Sequence, residues 1–238
     1  MKEYIDRLVG VIDLKRGRCV HAVAGQRERY RPVTVASGDP LRLADLYWQL
    51  GVRHLYVADL DAICGGRIDV DLAEKLFSRH PWMQFLFDGG WLLHQAQSTI
   101  DAICKIANKS SLRLIVPTEA NMSASDLGKI TELVASDRIL VGLDFFQGIM
   151  RSNSSSESDW IQAIQKTPIG GAVILDTSTV GTGIADSSIK LCERLASELP
   201  HQTIYSGGGV QDGKDMQRFF DADCNYVLAA TALLRSFD

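Results

Sequence analysis

Paired metal and redox ligands are missing from this sequence of 238 residues. The five cysteines are scattered and form no C-x-x-C pair, and no two of the five histidines are close together in the chain. The pattern therefore gives no support for a zinc site, a redox dithiol or a serine–histidine–aspartate triad, and the cysteines are expected to be reduced and mostly buried. No motif calls for a metal or for a nicotinamide or flavin cofactor.

Long apolar runs and a positive charge balance are also missing. No run approaches the ~20 apolar residues that a membrane helix needs, and the opening MKEYIDRLVG carries four charges, which a signal peptide does not tolerate. The formal net charge is −4, whereas nucleic-acid and membrane-surface binders need a positive field. We expect a cytoplasmic protein that binds a small molecule, with neither nucleic acid nor membrane as a partner; nothing in the pattern predicts an oligomeric state.

Eight short apolar runs rich in Val, Ile and Leu recur along the chain. Their hydrophobicity is continuous rather than alternating, which is typical of parallel strands buried on both faces. Stretches with helical spacing separate them; in DPLRLADLYWQLG, for example, Asp39 is a candidate cap, Pro40 lies in the first turn and Gly51 ends the helix. The predicted strands are Leu8–Ile12, His54–Ala58, Gln84–Phe87, Leu112–Val116, Ile139–Leu143, Ala172–Leu175, Thr203–Tyr205 and Tyr226–Ala229.

This alternation predicts the fold class. About eight strand–helix units in 238 residues is the expected size of an α/β protein of the (β/α)8 TIM-barrel type, and residues 1–238 are predicted to form a single barrel domain. A doubly wound sheet is the alternative. NMSASDLGKITELVAS and DSSIKLCERLASELP are predicted helices, and RSNSSSESD, which follows the fifth strand, is predicted to be a flexible insert.

Matching segments follow the strands in the two halves of the chain. LVGVIDLKRG and LVGLDFFQG both end an apolar run in Asp, at Asp13 and 131 residues later at Asp144. VADLDAICGG and ILDTSTVGTG repeat the pattern at Asp59 and Asp176, and FDGGW and YSGGGV follow the third and seventh strands. Three matches in the same order indicate an internal duplication, so the barrel is predicted to consist of two four-stranded half-barrels.

Four aspartates therefore terminate apolar strands, where barrel enzymes place their active sites. Burial and mutual repulsion raise the pKa of some carboxyl groups there and leave others low, so that one site gains a proton donor and a proton acceptor. Asp13 and Asp144, at equivalent points of the two halves, are the predicted catalytic pair. Capping of the following turn is the alternative for each aspartate, and it is favoured most for Asp59 and Asp176, whose next residues are typical of turns.

The turn SGGGV lies between the seventh strand and a helix that begins near Asp212. Exposed amides and the helix dipole favour a phosphate there, with a plain tight turn as the alternative. The matching turn of the first half has Asp88 in place of a glycine, and its charge would repel a phosphate, so one phosphate is predicted and a second is left open. The predicted phosphate ligands in SGGGV are Gly207, Gly208 and Gly209.

Basic side chains are concentrated in KRGRCVHAVAGQRERYRP, although the protein as a whole is acidic. Arginine forks bind phosphate or carboxylate through two contacts, which favours an anionic substrate; a solvated loop is the alternative. Lys15 is a predicted substrate contact, but nothing marks it as the desolvated lysine that a Schiff base needs. The basic residues are Lys15, Arg16, Arg18, His21, Arg27, Arg29 and Arg31.

VIDLKRGR, VADLDAICGG, GLDFFQG, ILDTSTVGTG and SGGGV together resemble the barrel family of histidine biosynthesis over nearly the whole chain. The similarity is greatest to its isomerase branch, which carries out an Amadori rearrangement of a ribonucleotide. The resemblance implies that Asp13 is the general base and that Asp144 is catalytically important. Asp176 and Thr177 are predicted to orient the substrate or Asp144, Asp59 and Asp88 to contact the substrate, and Gly183 and Thr118 to contact phosphate.

The sequence departs from the family pattern at several points. The isomerases have Asp-Gly-Thr after the sixth strand, with the Asp as acid; here the triplet begins with Val180, which cannot give a proton. The Gly-Thr after the fourth strand is Pro117-Thr118, and Pro117 has no amide to donate; the Gly-Arg after the eighth is Ala230-Thr231. This pattern is similar to the isomerase- and cyclase-related proteins of microbes that use methanopterin-type one-carbon carriers.

The predicted function is that of an isomerase, an intramolecular oxidoreductase of the aldose–ketose type, acting on a phosphorylated sugar-derived molecule by acid/base proton transfer. A related isomerase or lyase of another pathway, such as one-carbon carrier biosynthesis, is one alternative. A non-catalytic ligand-binding barrel is another. A cyclase role is disfavoured, because that enzyme takes ammonia from a partner and nothing in the sequence identifies one.

Overall fold

The computed structural model describes residues 2–90, 92–120 and 122–237. Within these residues, eight parallel strands close into a barrel in which each strand pairs with its neighbours in sequence and the last pairs with the first. The predicted (β/α)8 barrel is confirmed, and every strand boundary lies within three residues of its prediction. The strands are β1 (Leu8–Lys15), β2 (His54–Asp59), β3 (Gln84–Asp88), β4 (Leu112–Pro117), β5 (Ile139–Phe146), β6 (Gly171–Asp176), β7 (Ile204–Gly207) and β8 (Tyr226–Ala229).

Helices follow the strands on the outside of the barrel. Asp39 caps the first by accepting from the amides of Leu41 and Arg42, and the helix ends at Gly51, whose φ is 95°. The helices are α1 (Pro40–Leu50), α2 (Leu60–Ile63), α3 (Val70–Arg79), α4 (Gln97–Lys109), α5 (Leu127–Thr131), α6 (Glu157–Lys166), α7 (Asp186–Glu198), α8 (Gly213–Asp221) and α9 (Thr231–Leu234). Short 3-10 turns span Lys2–Arg7, Arg27–Arg29, Thr34–Ala36, Leu92–His94, Ala124–Asp126, Ser136–Arg138 and Arg235–Phe237.

Two segments differ from their predictions. NMSASDLGKITELVAS begins at Asn121, outside the described residues, and it contains a 3-10 turn followed by the short helix α5 instead of one long helix. The serine-rich insert after β5 is held in place: Ser156 forms a capping box with Asp159 at the start of α6, and the Ala124 amide donates to Ser155 Oγ at 2.9 Å. These local bonds account for the order of this segment.

A hairpin extends the first strand of each half-barrel. β1 turns back into the antiparallel strand Arg18–His21, and β5 into Ile149–Met150. Both central residues of each turn have positive φ, 52° and 71° at Arg16–Gly17 and 53° and 75° at Gln147–Gly148, which is the geometry of a type I′ turn. The two turns lie 131 residues apart, so the duplication read from the sequence is present in the backbone.

The core has two layers. A large apolar cluster fills the space between barrel and helices, and a smaller one fills the barrel interior, with Val9, Leu86, Leu140 and Leu228 among its buried members. Because the interior is packed, an open site can lie only above it, at the ends of the barrel. Among the described helices, none has the length and apolarity needed to cross a membrane.

Candidate active site

A cavity of about 490 Å³ lies at the carboxyl ends of the barrel strands. Asp13 on β1, Asp88 on β3 and Asp144 on β5 all line it. The two aspartates predicted from the duplication as a pair are therefore brought to one cavity from strands on opposite sides of the barrel. This is the end at which barrel enzymes carry out their chemistry.

Asp13 lies where β1 enters its hairpin, paired across it with Val20. Burial raises the pKa of its carboxyl group to about 7, against the opposing charge of Arg27. The side chain is partly exposed to the cavity, so a ligand can reach it. A carboxylate with a pKa near the working pH is suited to accept a proton and release it again.

Asp144 lies near the end of β5 and is only 6% exposed. Its amide donates to Thr118 Oγ1 at 2.9 Å, and its Oδ2 has no hydrogen-bond partner among the described residues. Burial is the main cause that raises its pKa well above the usual value; the negative charges of Glu119 and Asp88 add to this, and Arg151 opposes it. Asp144 is therefore suited to hold a proton at neutral pH.

Asp88 is 3% exposed, and its charge is poorly compensated. Its carboxyl group accepts from the Gly90 amide at 3.0 Å and from the Tyr56 hydroxyl at 3.2 Å. Burial raises its pKa to about 7 in spite of these bonds. The pKa of Tyr56 is far above its usual value, mainly because of burial, so its hydroxyl keeps the proton that it donates.

Glu119 and Arg27 form an ion pair in the cavity wall, with 3.3 Å between Oε1 and Nη2. The other terminal nitrogen of Arg27 donates to Cys64 Sγ at 2.8 Å. Sequence reasoning placed Arg27 in the basic segment but missed Glu119. The available signal was that Glu119 lies two residues after the last residue of β4, next to Thr118.

The other basic residues of that segment lie mostly outside the cavity. Lys15 Nζ donates to the Arg27 carbonyl at 2.5 Å and does not line the cavity. Arg18 donates to the Ser37 carbonyl at 3.0 Å, and Arg29 to Gln26 Oε1 at 2.7 Å. The solvated-loop alternative fits these three residues, while Arg27 and His21 do line the cavity.

The glycine turn after β7 forms the opposite side of the cavity. Gly208 and Gly209 line it with φ values of 102° and 73°, and a Cβ on Gly209 would lie 2.2 Å from the Ile184 carbonyl oxygen, so glycine is required. Gly183 lines the same region, whereas Gly207 lies at the end of β7, outside the lining. Thr231 and Arg235 complete this side, and sequence reasoning missed Arg235, which follows α9 without a motif.

Two strand-end aspartates predicted as substrate contacts lie outside the cavity lining. Asp59 caps α2 by accepting from the Ala62 amide at 3.1 Å. Asp176 accepts from the amides of Gln147 and Gly148 at 3.1 and 2.8 Å, so it holds the hairpin after β5. Turn amides occupy both carboxyl groups, as the capping alternative describes; Thr177, the next residue, does line the cavity.

Thr118 is fully buried, and the structure places it away from the cavity that the resemblance assigned to it. Its amide donates to the Gly142 carbonyl at 2.8 Å, and its Oγ1 accepts from the Asp144 amide. Both groups are thus engaged with the backbone of β5, and Thr118 positions Asp144 instead of contacting a phosphate.

Val180, at the position where the resemblance implies an acid, lines the cavity. Its carbonyl accepts from the Ala24 amide at 2.8 Å, which joins the loop after β6 to the loop after β1. The next residue, Gly181, packs against the Ala22 carbonyl, where a Cβ would be only 2.2 Å away. The side chain at this position therefore has no proton to donate.

Sequence similarity to known proteins extends over nearly the whole chain. A protein of uncharacterised function from Methanocaldococcus jannaschii is 29% identical over 233 residues, covering 95% of this chain and 92% of its own. Imidazole-4-carboxamide isomerases, whose name contains two phosphoribosyl groups, are 24% identical in Leuconostoc mesenteroides (93% and 92% covered) and 27% identical in Bacillus mycoides (93% and 90%). The pattern of the histidine biosynthesis protein family matches residues 7–236, and the chain belongs to that family.

Proposed function

We propose that the protein is an isomerase of the aldose–ketose type that acts on a phosphorylated, sugar-derived small molecule by acid/base proton transfer. The observation that carries the proposal is that Asp13 and Asp144 line one cavity, with pKa values raised by burial to different extents. The isomerase names of the Leuconostoc and Bacillus relatives support the same class of reaction.

The two aspartates divide the proton transfers. Asp144 keeps its proton at neutral pH and donates it to the ring oxygen, a role that falls to it because Val180 has none to give; the C1 hydroxyl gives up its proton in turn, and the ring opens to the aldehyde. Asp13 then removes the proton from C2 while the aldehyde oxygen takes up a proton, which leaves an enediol. The enediol becomes the 2-keto product when C1 takes up a proton and the C2 hydroxyl loses one, so the net change moves one hydrogen from C2 to C1 and one from the C2 oxygen to the C1 oxygen.

The phosphate is assigned to the side of the cavity formed by Gly208, Gly209, Thr231 and Arg235. Glycine backbone can approach an anion closely, and the exposed guanidinium of Arg235 supplies a positive charge. This anchor lies across the barrel from Asp88 and Glu119, because β7 and β8 face β3 and β4, whereas Asp13 is on β1, next to β8. Thr177, from the loop after β6, is assigned a contact with the sugar between the two sides.

Deuterium uptake from heavy water tests the proposal. The panel contains the imidazole carboxamide ribonucleotide for which the relatives are named, ribose 5-phosphate and glucose 6-phosphate. We expect deuterium to enter at least one of them next to the carbonyl carbon, with a rate ~10²–10⁴-fold lower in Asp13→Asn and Asp144→Asn, since each removes one proton-transfer group.

Asp186→Asn is the charge-matched control, because Asp186 pairs with Arg218 on the surface away from the cavity. Its deuterium uptake should equal that of the unmodified protein. Calorimetric binding of panel members without any uptake above the enzyme-free rate would contradict the isomerase and leave a ligand-binding barrel. Uptake that persists in Asp13→Asn would remove that residue from the mechanism.

A further inference from the structure

The charges of the cavity are unevenly distributed. The side at β3 to β5 carries Asp88, Glu119 and Asp144 with the basic Arg151, whereas the side at β7 and β8 carries Arg235 and the glycine turn, with no acidic residue among the described residues of its lining. The chain duplication would make the two sides alike, with a phosphate turn in each half. A substrate that fits this cavity must therefore have chemically different ends.

The turn of the first half is closed to a second phosphate. Asp88 occupies the position that Gly207 has in the second half. Its carboxyl group accepts the hydrogen bond from the Gly90 amide, which an anion would need. Pro117 has no amide, and Thr118 is fully buried with both polar groups engaged. A phosphate at this side would face buried carboxyl groups instead of donors.

Two guanidinium groups line this side, those of Arg27 and Arg151, but neither donates to Asp144 Oδ2. Asp144 Oδ2 is buried against the cavity without a hydrogen-bond partner among the described residues, which is costly for a polar atom. Arg27 is engaged with Glu119 and Cys64, so its guanidinium is already shared. A ligand group that supplies N–H donors and positive charge would satisfy Asp144 and Asp88 together.

From these contacts we infer that the substrate of the proposed isomerase carries one phosphate, held at Gly208, Gly209 and Arg235, and at its other end an amine nitrogen that forms an ion pair with Asp88 and donates a hydrogen bond to the Asp144 carboxyl group. The nitrogen arrives as an ammonium ion, so Asp144 keeps the proton that ring opening needs. The substrate class is thus an amino-sugar monophosphate. This inference rests on the proposed function, and it separates the chain from relatives named for a substrate with two phosphoribosyl groups.

Equilibrium binding of three probes tests the inference without requiring turnover. Glucosamine 6-phosphate carries an amine and one phosphate, glucose 6-phosphate has a hydroxyl in place of the amine, and fructose 1,6-bisphosphate carries two phosphates. By calorimetry at pH 7.5 we expect glucosamine 6-phosphate to bind at least tenfold more tightly than glucose 6-phosphate. Fructose 1,6-bisphosphate should bind no more tightly than glucose 6-phosphate.

Asp88→Asn should reduce the amine preference to less than about threefold, because the amide has the shape of the carboxyl group without its charge. Asp186→Asn, the surface control, should keep the full preference. Circular dichroism checks that Asp88→Asn folds, and the comparison of the three probes on the unmodified protein stands without any variant. Measurements with and without EDTA separate an organic cation from a metal-bridged contact, and an amine preference that EDTA abolishes would overturn the inference.

Equal affinities for the amine and hydroxyl probes, tightest binding of the bisphosphate, or no binding of any probe at millimolar concentration would each overturn the inference. These outcomes are distinct from failure of the proposed function. Deuterium uptake can occur without an amine preference, and an amine preference without deuterium uptake would describe a binding protein with this selectivity.

Discussion

At neutral pH the Asp13 carboxyl group lies near the midpoint of its titration, because burial raises its pKa to about 7. A general base must be deprotonated, whereas Asp144 must keep its proton. We therefore expect kcat/KM for deuterium uptake to rise with pH through about 7 and to fall again at higher pH, where Asp144 loses its proton. The profile is measured between pH 5 and 10.

The acidic limb of that profile is assigned by two variants. Asp13→Asn should remove the limb together with most of the rate. Asp88→Asn should keep it, although burial also raises the pKa of Asp88 to about 7. A limb near pH 7 that survives in Asp13→Asn and disappears in Asp88→Asn would transfer the base to Asp88.

Four strand-end aspartates look alike in sequence, and the structure separates them by what their carboxyl groups contact. Asp59 and Asp176 meet turn amides within hydrogen-bond distance, whereas Asp13 and Asp144 face the cavity. The sequence could propose capping for the first two from turn-like neighbours. It could not exclude Thr118 from the cavity, because its partner Asp144 is 26 residues away.

At the level of the element, the two equivalent hairpin turns predict equal losses in the free energy of unfolding when their glycines are replaced. Gly17 and Gly148 have positive φ and open space where a Cβ would lie, so alanine costs only the backbone strain. Gly17→Ala and Gly148→Ala should each lower the free energy of unfolding by about 1 kcal/mol. Gly209→Ala should cost clearly more, because its Cβ would also clash with the Ile184 carbonyl.

Urea denaturation measures all three alanine variants. Unequal losses at Gly17 and Gly148, of more than about 1 kcal/mol, would contradict the energetic equivalence of the two turns. A loss at Gly209 no larger than that at the hairpins would show that the glycine turn relaxes around the new methyl group.

The elements themselves were predictable to the extent that their apolar pattern is continuous. The barrel strands were found within three residues because both faces are buried, and α1 because its caps are explicit. The hairpin strands Arg18–His21 and Ile149–Met150 were missed because they are too short for an apolar run to form. Their register depends on type I′ turns that Arg-Gly and Gln-Gly signal less clearly than Asn-Gly does.

For the whole molecule, the duplication explains the aspartate pair, and its later divergence explains the uneven cavity. Asp13 and Asp144 lie at equivalent positions in the two halves. The third strand, by contrast, ends in a carboxylate, whereas the seventh strand ends in a glycine turn. The first property was readable from repeats in the chain. The second needed the closed barrel, because it depends on which loops share a cavity.

Acidic residues of the surface and of the cavity set the pH dependence of the stability of the whole molecule. Lys129 lowers the pKa of the surface residue Asp126 to about 2, so the stability that this pair contributes is lost as the pH falls toward that value. The contributions of Asp13 and Asp88 change with pH in the opposite direction. Burial raises their folded-state pKa to about 7, so they favour the folded state most below pH 4. This contribution is lost as the pH rises through 7. The free energy of unfolding should therefore be greatest near pH 4 and decline between about pH 4 and pH 7.

Urea denaturation at pH 5 and pH 8 isolates the part due to Asp88. With a folded pKa of about 7 against ~3.9 in the unfolded chain, linkage predicts that this one group accounts for about 2–3 kcal/mol of the loss between the two pH values. Asp88→Asn should reduce the loss by that amount, while Asp186→Asn, whose carboxylate lies on the surface, should leave it unchanged. An equal decline in all three proteins would mean that Asp88 is ionised throughout this range, and the amine would then meet a permanent carboxylate.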